Sequence, residues 1–176
     1  CIIKSISKQD ASRYLNEYHL QGYSKSDIHY GLFNNSELVM VMTFGKPRYN
    51  KKFEYELIRL WSHKYIIGGA EKLFKHFIKE YQPNSIISYC DFSKFKGDIY
   101  QKLGMKLIST SIGKHWYNSK FRLHITDNLL RQRGFDQLLG NRFGYFGKGS
   151  SNEDLMKKFN FVEIFDSGQG TYIWNK

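Results

Sequence analysis

The sequence predicts an α/β domain with a mixed central sheet, helices on both faces and a small α+β C-terminal extension. Two short apolar segments, Glu54–Trp61 and Ser85–Cys90, lie on either side of an amphipathic helix, which is the order of a βαβ unit. Two more segments, Ile28–Phe33 and Glu37–Phe44, are joined by Asn34-Asn35-Ser36, a typical hairpin turn. Parallel and antiparallel strands together indicate a mixed sheet.

The first half of the chain has clear signals for its other elements. Ile2–Ile6 predicts a strand, and Ser7 is a suitable N-cap for a helix over Lys8–Tyr18. The helix of the βαβ unit has apolar residues at helical spacing and ends at Gln82-Pro83-Asn84. These apolar residues are Ala70, Leu73, Phe74, Phe77, Ile78 and Tyr81.

The second half predicts a short helix over Asp98–Leu103 that Gly104 ends, followed by a hairpin of Lys106–Ser111 and Lys114–Leu123. We expect residues 1–125 to form the main domain and residues 126–176 a basic, aromatic extension with a helix and a hairpin. The segment from Asp98 to Asn118 has an echo in the segment from Asp154 to Asn175, since each contains a short helix, a turn and two strands. Either a duplication or a shared local architecture would explain it.

The chain carries a formal net charge of +11, which favours an anionic partner. Cationic and aromatic side chains alternate between Lys114 and Lys148, as in surfaces that bind phosphates and stack on bases. We therefore expect DNA contact. The candidate residues are Lys46, Arg48, Arg59, Lys114, Trp116, Lys120, Arg122 and Arg142. An acidic protein partner, an anionic cofactor or a charge that only keeps the protein dispersed are the alternatives. Arg59 could instead pair with Glu37, Glu54 or Asp91.

Several classes of protein are disfavoured by the sequence. No apolar run reaches the ~18 residues that a membrane span needs, and no secretory signal is present. Six scattered histidines and two cysteines, Cys1 and Cys90, have no metal-ligand spacing. We expect a cytoplasmic protein without a metal, and we expect a further domain before Cys1 because the chain does not begin with Met.

A glycine turn precedes the helix of the βαβ unit. Small residues at such a position let backbone N–H groups face a ligand at a helix N-terminus, where the helix dipole favours negative charge. The candidate cofactor-binding residues are Tyr65, Ile67, Gly68, Gly69, Ala70 and Lys72.

The order of elements resembles the GCN5-related N-acetyltransferase (GNAT) fold over roughly residues 2–125. In that family a turn of pattern (Gln/Arg)-x-x-Gly-x-(Gly/Ala) holds the pyrophosphate of acyl-CoA. Gly68 and Ala70 match the pattern, whereas Tyr65 stands at the Gln/Arg position. The sequence Asp98-Ile-Tyr-Gln-Lys-Leu-Gly-Met resembles the family's later helix. The resemblance implies acetyl-CoA or another acyl-CoA as cofactor and Tyr100 as the acid that protonates the leaving thiolate.

A narrower resemblance is to GNAT-like domains of phages and mobile elements, often found beside homing-endonuclease-type nucleases and similar to the phage Mom proteins that modify DNA. It is carried by segments such as His19-Leu-Gln-Gly22, Tyr30-Gly-Leu-Phe33 and Thr43-Phe-Gly-Lys-Pro-Arg48. It implies a phage- or prophage-encoded protein in a bacterial host. Any nuclease domain would precede Cys1.

Acyl transfer to an amine requires a base and an acid. By strict alternation Glu56 shares a face of its strand with Ile58 and Leu60, and a carboxylate among apolar side chains suits a base. A buried Glu56 paired with a basic neighbour is the alternative. Asp91 follows a strand where α/β proteins bind ligands, and is either a base or an ordinary loop residue. Tyr100 is either the acid or a core residue.

Two functional hypotheses follow. The leading one is an acyl-CoA-dependent acyltransferase that modifies a base in DNA. The other is a non-catalytic DNA-recognition module of a homing-endonuclease-type nuclease, which Tyr65 at the Gln/Arg position favours. A transferase that acts on protein or RNA is a third.

Overall fold

The computed structural model describes residues 1–120, 123–126 and 152–176. They belong to two compact units. The first contains Cys1–Cys90, Lys94–Thr110 and Gly170–Lys176, and the second takes its described residues from Asp91–Ser93 and Ser111–Gln169. The chain therefore leaves the first unit after Thr110 and returns to it at Gly170. The division into domains 1–125 and 126–176 stays a prediction.

The first unit is built on a mixed seven-stranded sheet with the strand order β1-β2-β3-β4-β5-β10-β6. Its strands are β1 (Ile2–Ser5), β2 (Ile28–Asn34), β3 (Glu37–Gly45), β4 (Tyr55–Ser62), β5 (Ser85–Asp91), β6 (Lys106–Ser111) and β10 (Gln169–Asn175). Strands β1 to β4 pair antiparallel in succession, and β4 pairs parallel with β5. The α/β class and the mixed sheet are confirmed.

Two helices pack on opposite faces of this sheet, as predicted. Helix α1 (Lys8–Tyr18) is capped by Ser7, whose hydroxyl accepts from the Asp10 N–H, and it packs against Val41. Helix α2 (Gly69–Tyr81) places Phe77 against Phe44, with ring centroids 3.7 Å apart. Val41 and Phe44 are three residues apart on β3 and so face opposite sides. We call these sides the α1 face and the α2 face.

A β-bulge in β4 changes which side chains share a face. Thr43 pairs with Arg59, but the next residue of β3, Phe44, pairs with Leu57, so Ile58 is an extra residue. Because directly paired residues share a face, Glu56 lies with Arg59 and Trp61 on the α1 face, while Leu57 lies on the α2 face. The predicted grouping of Glu56 with Leu60 is therefore wrong, since Leu60 pairs with Met42 on the α2 face and strict alternation fails at a bulge. Ile58 still reaches the face of Glu56, because a Cβ at Gly45 would lie 3.1 Å from its Cδ1.

Of the elements predicted after β5, the short helix forms but the hairpin does not. Helix α3 (Asp98–Lys102) forms and is followed by Gly104 at φ 78°. The expected hairpin of Lys106–Ser111 with Lys114–Leu123 does not form, because the two segments enter different sheets. Instead, the last strand of the chain, β10, occupies the position between β5 and β6 in the first unit.

The second unit contains a three-stranded sheet with the order β8-β7-β9 and one described helix. Its elements are β7 (Lys114–Asn118), β8 (Leu123–Thr126), α4 (Asn152–Lys158) and β9 (Val162–Phe165). The echo has a structural counterpart, since Asn160 follows α4 with φ 59° as Gly104 follows α3 with φ 78°. The strands after each helix are divided between the two sheets. No helix in the described ranges is long and apolar enough to cross a membrane.

Candidate functional site

Strands β4 and β5 separate soon after they pair. Their register has only two pairs, Tyr55 with Ile86 and Glu56 with Ile87. One step later the Ser88 hydroxyl donates to the Leu57 carbonyl oxygen at 2.8 Å, in place of a backbone pair. The strands therefore diverge towards their carboxyl ends, which is where open α/β sheets bind ligands.

The glycine turn follows β4 and opens helix α2. Gly68 is the N-cap and has φ 68°, and having no side chain it cannot cap the first N–H groups of α2. The Gly69 N–H donates to the Ile66 carbonyl oxygen at 3.2 Å. A Cβ at Gly68 would meet no atom within 4 Å, whereas a Cβ at Gly69 would lie 2.9 Å from Met40 Cε and 3.0 Å from Leu32 Cδ2. The turn thus leaves open space above Gly68 and packs tightly against the sheet at Gly69. This suits a phosphate group on backbone amides.

The other predicted cofactor residues surround this turn. Tyr65 and Ile67 are 92% and 87% exposed, which is unusual for such large apolar side chains, and Ala70 is buried. Lys72 Nζ donates to the Cys1 carbonyl oxygen at 2.5 Å. A role of these residues in holding a cofactor stays a prediction.

Glu56 is fully buried and forms an ion pair with Arg48. Arg48 donates to Glu56 Oε1 from Nε at 2.8 Å and from Nη2 at 2.5 Å, and its backbone N–H donates to Oε2 at 2.7 Å. Of the two interpretations left open by the sequence, the geometry favours the buried carboxylate with a basic partner. The pair fixes the loop between β3 and β4 over the α1 face.

Tyr100 lies beside the diverging strands. Its hydroxyl donates to the Tyr89 carbonyl oxygen at 3.3 Å, and its ring stacks on Tyr172 with centroids 4.6 Å apart. Burial raises the pKa of Tyr100, while a hydrogen bond with Ser88 and the charge of Arg59 oppose the increase. The hydroxyl is therefore protonated at neutral pH and lies next to Ser88, where β4 and β5 have separated.

Asp91, the last residue of β5, belongs to the second compact unit. Its Oδ1 accepts from the Ser93 backbone N–H at 3.0 Å and also from the Ser93 hydroxyl. This is the arrangement of an Asx turn. The contacts suit the loop-residue interpretation, and a role as base stays a prediction.

The predicted DNA contacts in the first unit differ in their surroundings. Arg59 is half-buried, and it donates to the Gly22 carbonyl oxygen at 2.9 Å and to the Ile58 carbonyl oxygen at 3.0 Å. These contacts replace the pairing with Glu37, Glu54 or Asp91 that the sequence left open. Burial, followed by the charge of Arg48, lowers the pKa of Arg59. Lys46 is exposed, and 38% of the Arg48 side chain is accessible despite its ion pair.

In the second unit two of the predicted contacts, Lys114 and Trp116, are engaged within the protein. Lys114 forms ion pairs with Glu153 at 2.8 Å and with Glu163. Trp116 is buried, so it contributes to the core of this unit rather than to a surface on which a base could stack. Lys120 lies in an exposed turn. Arg122 and Arg142 lie outside the described residues.

An aromatic cluster on the α1 face was not predicted from the sequence. The ring of His19, the residue after α1, lies edge-on to Trp61 with centroids 5.3 Å apart and lies 5.9 Å from Phe95. Trp61 and Phe95 are 6.4 Å apart. These residues are 42 and 34 positions apart in the chain, and only the bulge at Ile58 turns Trp61 towards α1. No periodicity could have revealed this grouping.

Comparison with known proteins bears on the fold. No family model matches the chain, and no curated protein matches it. Among solved structures, an IAA acetyltransferase from Bacillus cereus has a TM-score of 0.53 at 15% identity, and the match covers 99% of both chains. An acetyltransferase from Bacillus subtilis, solved in complex with CoA, has a TM-score of 0.52 at 13% identity, over 99% of this chain and 97% of the other.

The chain therefore has the fold of these acetyltransferases, as the resemblance to the GNAT fold implied. At such low identities the likeness concerns the fold. DNA binding, an adjacent nuclease domain and an origin in a phage or mobile element stay predictions.

Proposed function

We propose that this protein is an N-acyltransferase that uses acetyl-CoA or another acyl-CoA, and that its acceptor amine belongs to DNA. The observation that carries the first part is the pairing of β4 and β5 at only two positions, next to a glycine turn that opens α2. A diverging pair of strands and a helix N-terminus without a side-chain cap together suit a ligand that has an extended amide-containing arm and phosphates. Acyl-CoA has both.

The residues present fit such a cofactor. The N–H group at Ala70 would hold the phosphates, with Lys72 supplying positive charge, and Tyr65 and Ile67 would cover them. Gly69 would shape the turn, since its own N–H donates to the Ile66 carbonyl oxygen at 3.2 Å. Acyl-CoA supplies an acyl group activated as a thioester. Tyr100, which is protonated at neutral pH, would deliver a proton to the leaving thiolate. Glu56 and Asp91 remain the candidate bases, but the ion pair with Arg48 suits Glu56 better to holding the β3–β4 loop.

Support for DNA as the acceptor comes from the β3–β4 loop, residues 46–54. Lys46, Lys51 and Lys52 are exposed there, and Tyr49 is 68% exposed with its ring packed edge-to-face with that of Tyr89, at 5.7 Å between centroids. The lysines can contact phosphates, and the exposed ring of Tyr49 can stack on an unpaired base. The net charge of +11 favours the same partner.

Titration with acetyl-CoA by calorimetry tests the cofactor site. We expect binding by the unaltered protein and loss of binding by Gly68→Glu, which places a carboxylate where the phosphates would lie. Gly104→Glu is the matched control, because Gly104 also has a positive φ and an added Cβ would meet only Trp174 Cδ1 at 3.9 Å. No binding by the unaltered protein would refute the transferase and leave the non-catalytic DNA-binding module as the better description.

A second measurement tests DNA independently of acyl-CoA. We expect a fluorescent duplex to bind with an affinity that falls steeply with salt. Replacing Lys51 and Lys52 by Gln should reduce the slope of log K against log salt by about 2. Replacing Lys75 and Lys79 by Gln is the control for a general loss of positive charge, since both are exposed on α2. Equal slopes in both variants would exclude the β3–β4 loop as the contact.

A further inference from the structure

The aromatic cluster of His19, Trp61 and Phe95 lies near the diverging strands. Trp61 is near the carboxyl end of β4, beyond the last pair with β5, and Phe95 lies in the segment that follows β5. All three side chains are only partly buried. Aromatic surface therefore remains accessible at the edge of the sheet where ligands are expected.

The hydrogen bond to His19 defines which of its nitrogens carries a proton. The Gln21 backbone N–H donates to His19 Nδ1 at 3.0 Å, so Nδ1 is an acceptor. Burial, together with the positive charge of Arg59, lowers the pKa of His19 to about 4. The ring is thus neutral at physiological pH with its hydrogen on Nε2. His19 is a fixed hydrogen-bond donor at Nε2, and in this tautomer it cannot act as a base there.

Arg59 completes the surroundings of the ring. It lies on the same face of β4 as Trp61, and its guanidinium is held by the carbonyl oxygens of Gly22 and Ile58. Since Gly22 N–H also donates to the His19 carbonyl oxygen at 2.9 Å, one short loop holds both side chains. A neutral donor and a cation beside accessible ring faces can recognise a planar ring that carries acceptor atoms.

We infer that this cluster binds the acceptor, and that the acceptor is a planar heteroaromatic amine of the nucleobase type. The ring would pack on Trp61 and Phe95, and a ring nitrogen or carbonyl oxygen would accept a hydrogen bond from His19 Nε2. An aliphatic amine has neither the ring face nor such an acceptor atom. The assignment of this amine as the acyl acceptor rests on the proposed function, whereas binding of the ring does not.

Two substitutions at His19 separate the two nitrogens. The amide of Asn reaches the position of Nδ1 and can still accept from Gln21 N–H, but it places nothing at Nε2. The longer amide of Gln can place an N–H donor near Nε2. We therefore compare His19→Asn with His19→Gln, and use His76→Asn as a control, since His76 is a partly exposed residue of α2 that pairs with Glu80.

Binding is measured by saturation-transfer NMR with adenosine, cytidine and guanosine as probes, and with putrescine as the aliphatic amine. We expect saturation of the base protons, a roughly tenfold weaker affinity in His19→Asn, as for the loss of one hydrogen bond, and recovery in His19→Gln. Equal affinity in His19→Asn and His76→Asn, or binding of putrescine as tight as that of the nucleosides, would overturn the inference.

Transfer from acetyl-CoA to the same probes then tests the catalytic use of the site. We expect His19→Asn to raise the KM for the nucleoside with little change in kcat, and to leave acetyl-CoA binding unaltered. A protein that binds acetyl-CoA but acetylates putrescine as well as the nucleosides contradicts the inference alone. A protein that does not bind acetyl-CoA contradicts the proposed function, and nucleoside binding then still decides whether the ring site exists.

Discussion

The guanidinium of Arg48 holds the buried carboxylate of Glu56 through Nε at 2.8 Å and Nη2 at 2.5 Å, while the Arg48 backbone N–H donates to the other oxygen at 2.7 Å. The same guanidinium donates from Nη1 to the Ser24 hydroxyl at 3.2 Å. Arg48 thus connects β4, the β3–β4 loop and the loop after α1. Trp61 and His19 of the proposed acceptor site belong to β4 and to the loop after α1, so the pair helps to order the site even without a direct chemical role.

Arg48→Met is expected to lower the free energy of unfolding by about 3 kcal/mol, because it leaves the Glu56 carboxylate buried without its partner. Urea denaturation followed by circular dichroism measures this change. Arg13→Met removes an exposed ion pair with Asp10 on α1 and should cost less than about 1 kcal/mol.

Adding Glu56→Gln to Arg48→Met should restore part of the lost stability, because it removes the buried charge. A double variant no more stable than Arg48→Met would show that the ion pair is not the source of the effect. If Glu56→Gln alone abolished turnover while leaving stability and acetyl-CoA binding intact, Glu56 would be the base after all.

The sequence was sufficient to predict the elements that local signals define. Ser7 and the apolar spacing of α1 and α2 identify the helices, and Asn34-Asn35-Ser36 identifies the hairpin. The turn at Gly68 could be recognised because glycine readily adopts the positive φ that it has there. Long-range pairings have no such signal, and the place of β10 between β5 and β6 could not be read from the chain.

The site was predicted less completely because one inserted residue reverses the faces of β4. Leu57, Ile58 and Leu60 are all apolar, so alternation along the strand does not reveal the bulge at Ile58. The partner of Glu56 comes from an irregular loop, and the cluster around His19 depends on three distant segments. The turn at Gly68 could be predicted from residue type, whereas the contacts of Glu56 and Arg59 could be identified only from the three-dimensional structure.

Tyr100→Phe is expected to reduce kcat by about 10²-fold, because it removes the proton donor for the leaving thiolate. The KM for acetyl-CoA should change little, since the ring can still stack on Tyr172. Steady-state rates from released thiol measure both. Because the pKa of Tyr100 is raised above its ordinary value of 10.0, no loss of activity from its ionisation is expected below that pH.

Tyr172→Phe is the control for Tyr100→Phe, since it keeps the stacked pair and removes a hydroxyl with no proposed chemical role. Equal rates for Tyr100→Phe and the unaltered protein would exclude Tyr100 as the acid and leave it as a core residue.

Stability should fall as the pH is lowered from 6.5 towards 4. Burial and the charge of Arg59 lower the pKa of His19 from 6.5 to about 4. Between these values the unfolded chain binds a proton that the folded chain does not, so the stabilisation is complete above 6.5 and is lost on acidification. Thermal unfolding across this range should show a falling Tm.

His19→Asn should make that pH dependence shallower. His29, whose pKa burial also lowers, is present in both proteins, so the difference between them isolates His19. Parallel curves would mean that His19 is protonated as easily in the folded protein as in the unfolded chain, which would also remove the argument for a fixed Nε2 donor.

The position of β10 predicts that the end of the chain is essential to the first unit. Thr171→Pro should lower the free energy of unfolding by about 3 kcal/mol or more, because proline removes a donor from a strand with neighbours on both sides. Thr171→Val keeps a β-branched side chain and should be close to the unaltered protein in urea denaturation. If proline were tolerated as well as valine, β10 would not hold β5 and β6 together, and residues 126–176 would behave as the appended extension that the sequence alone suggested.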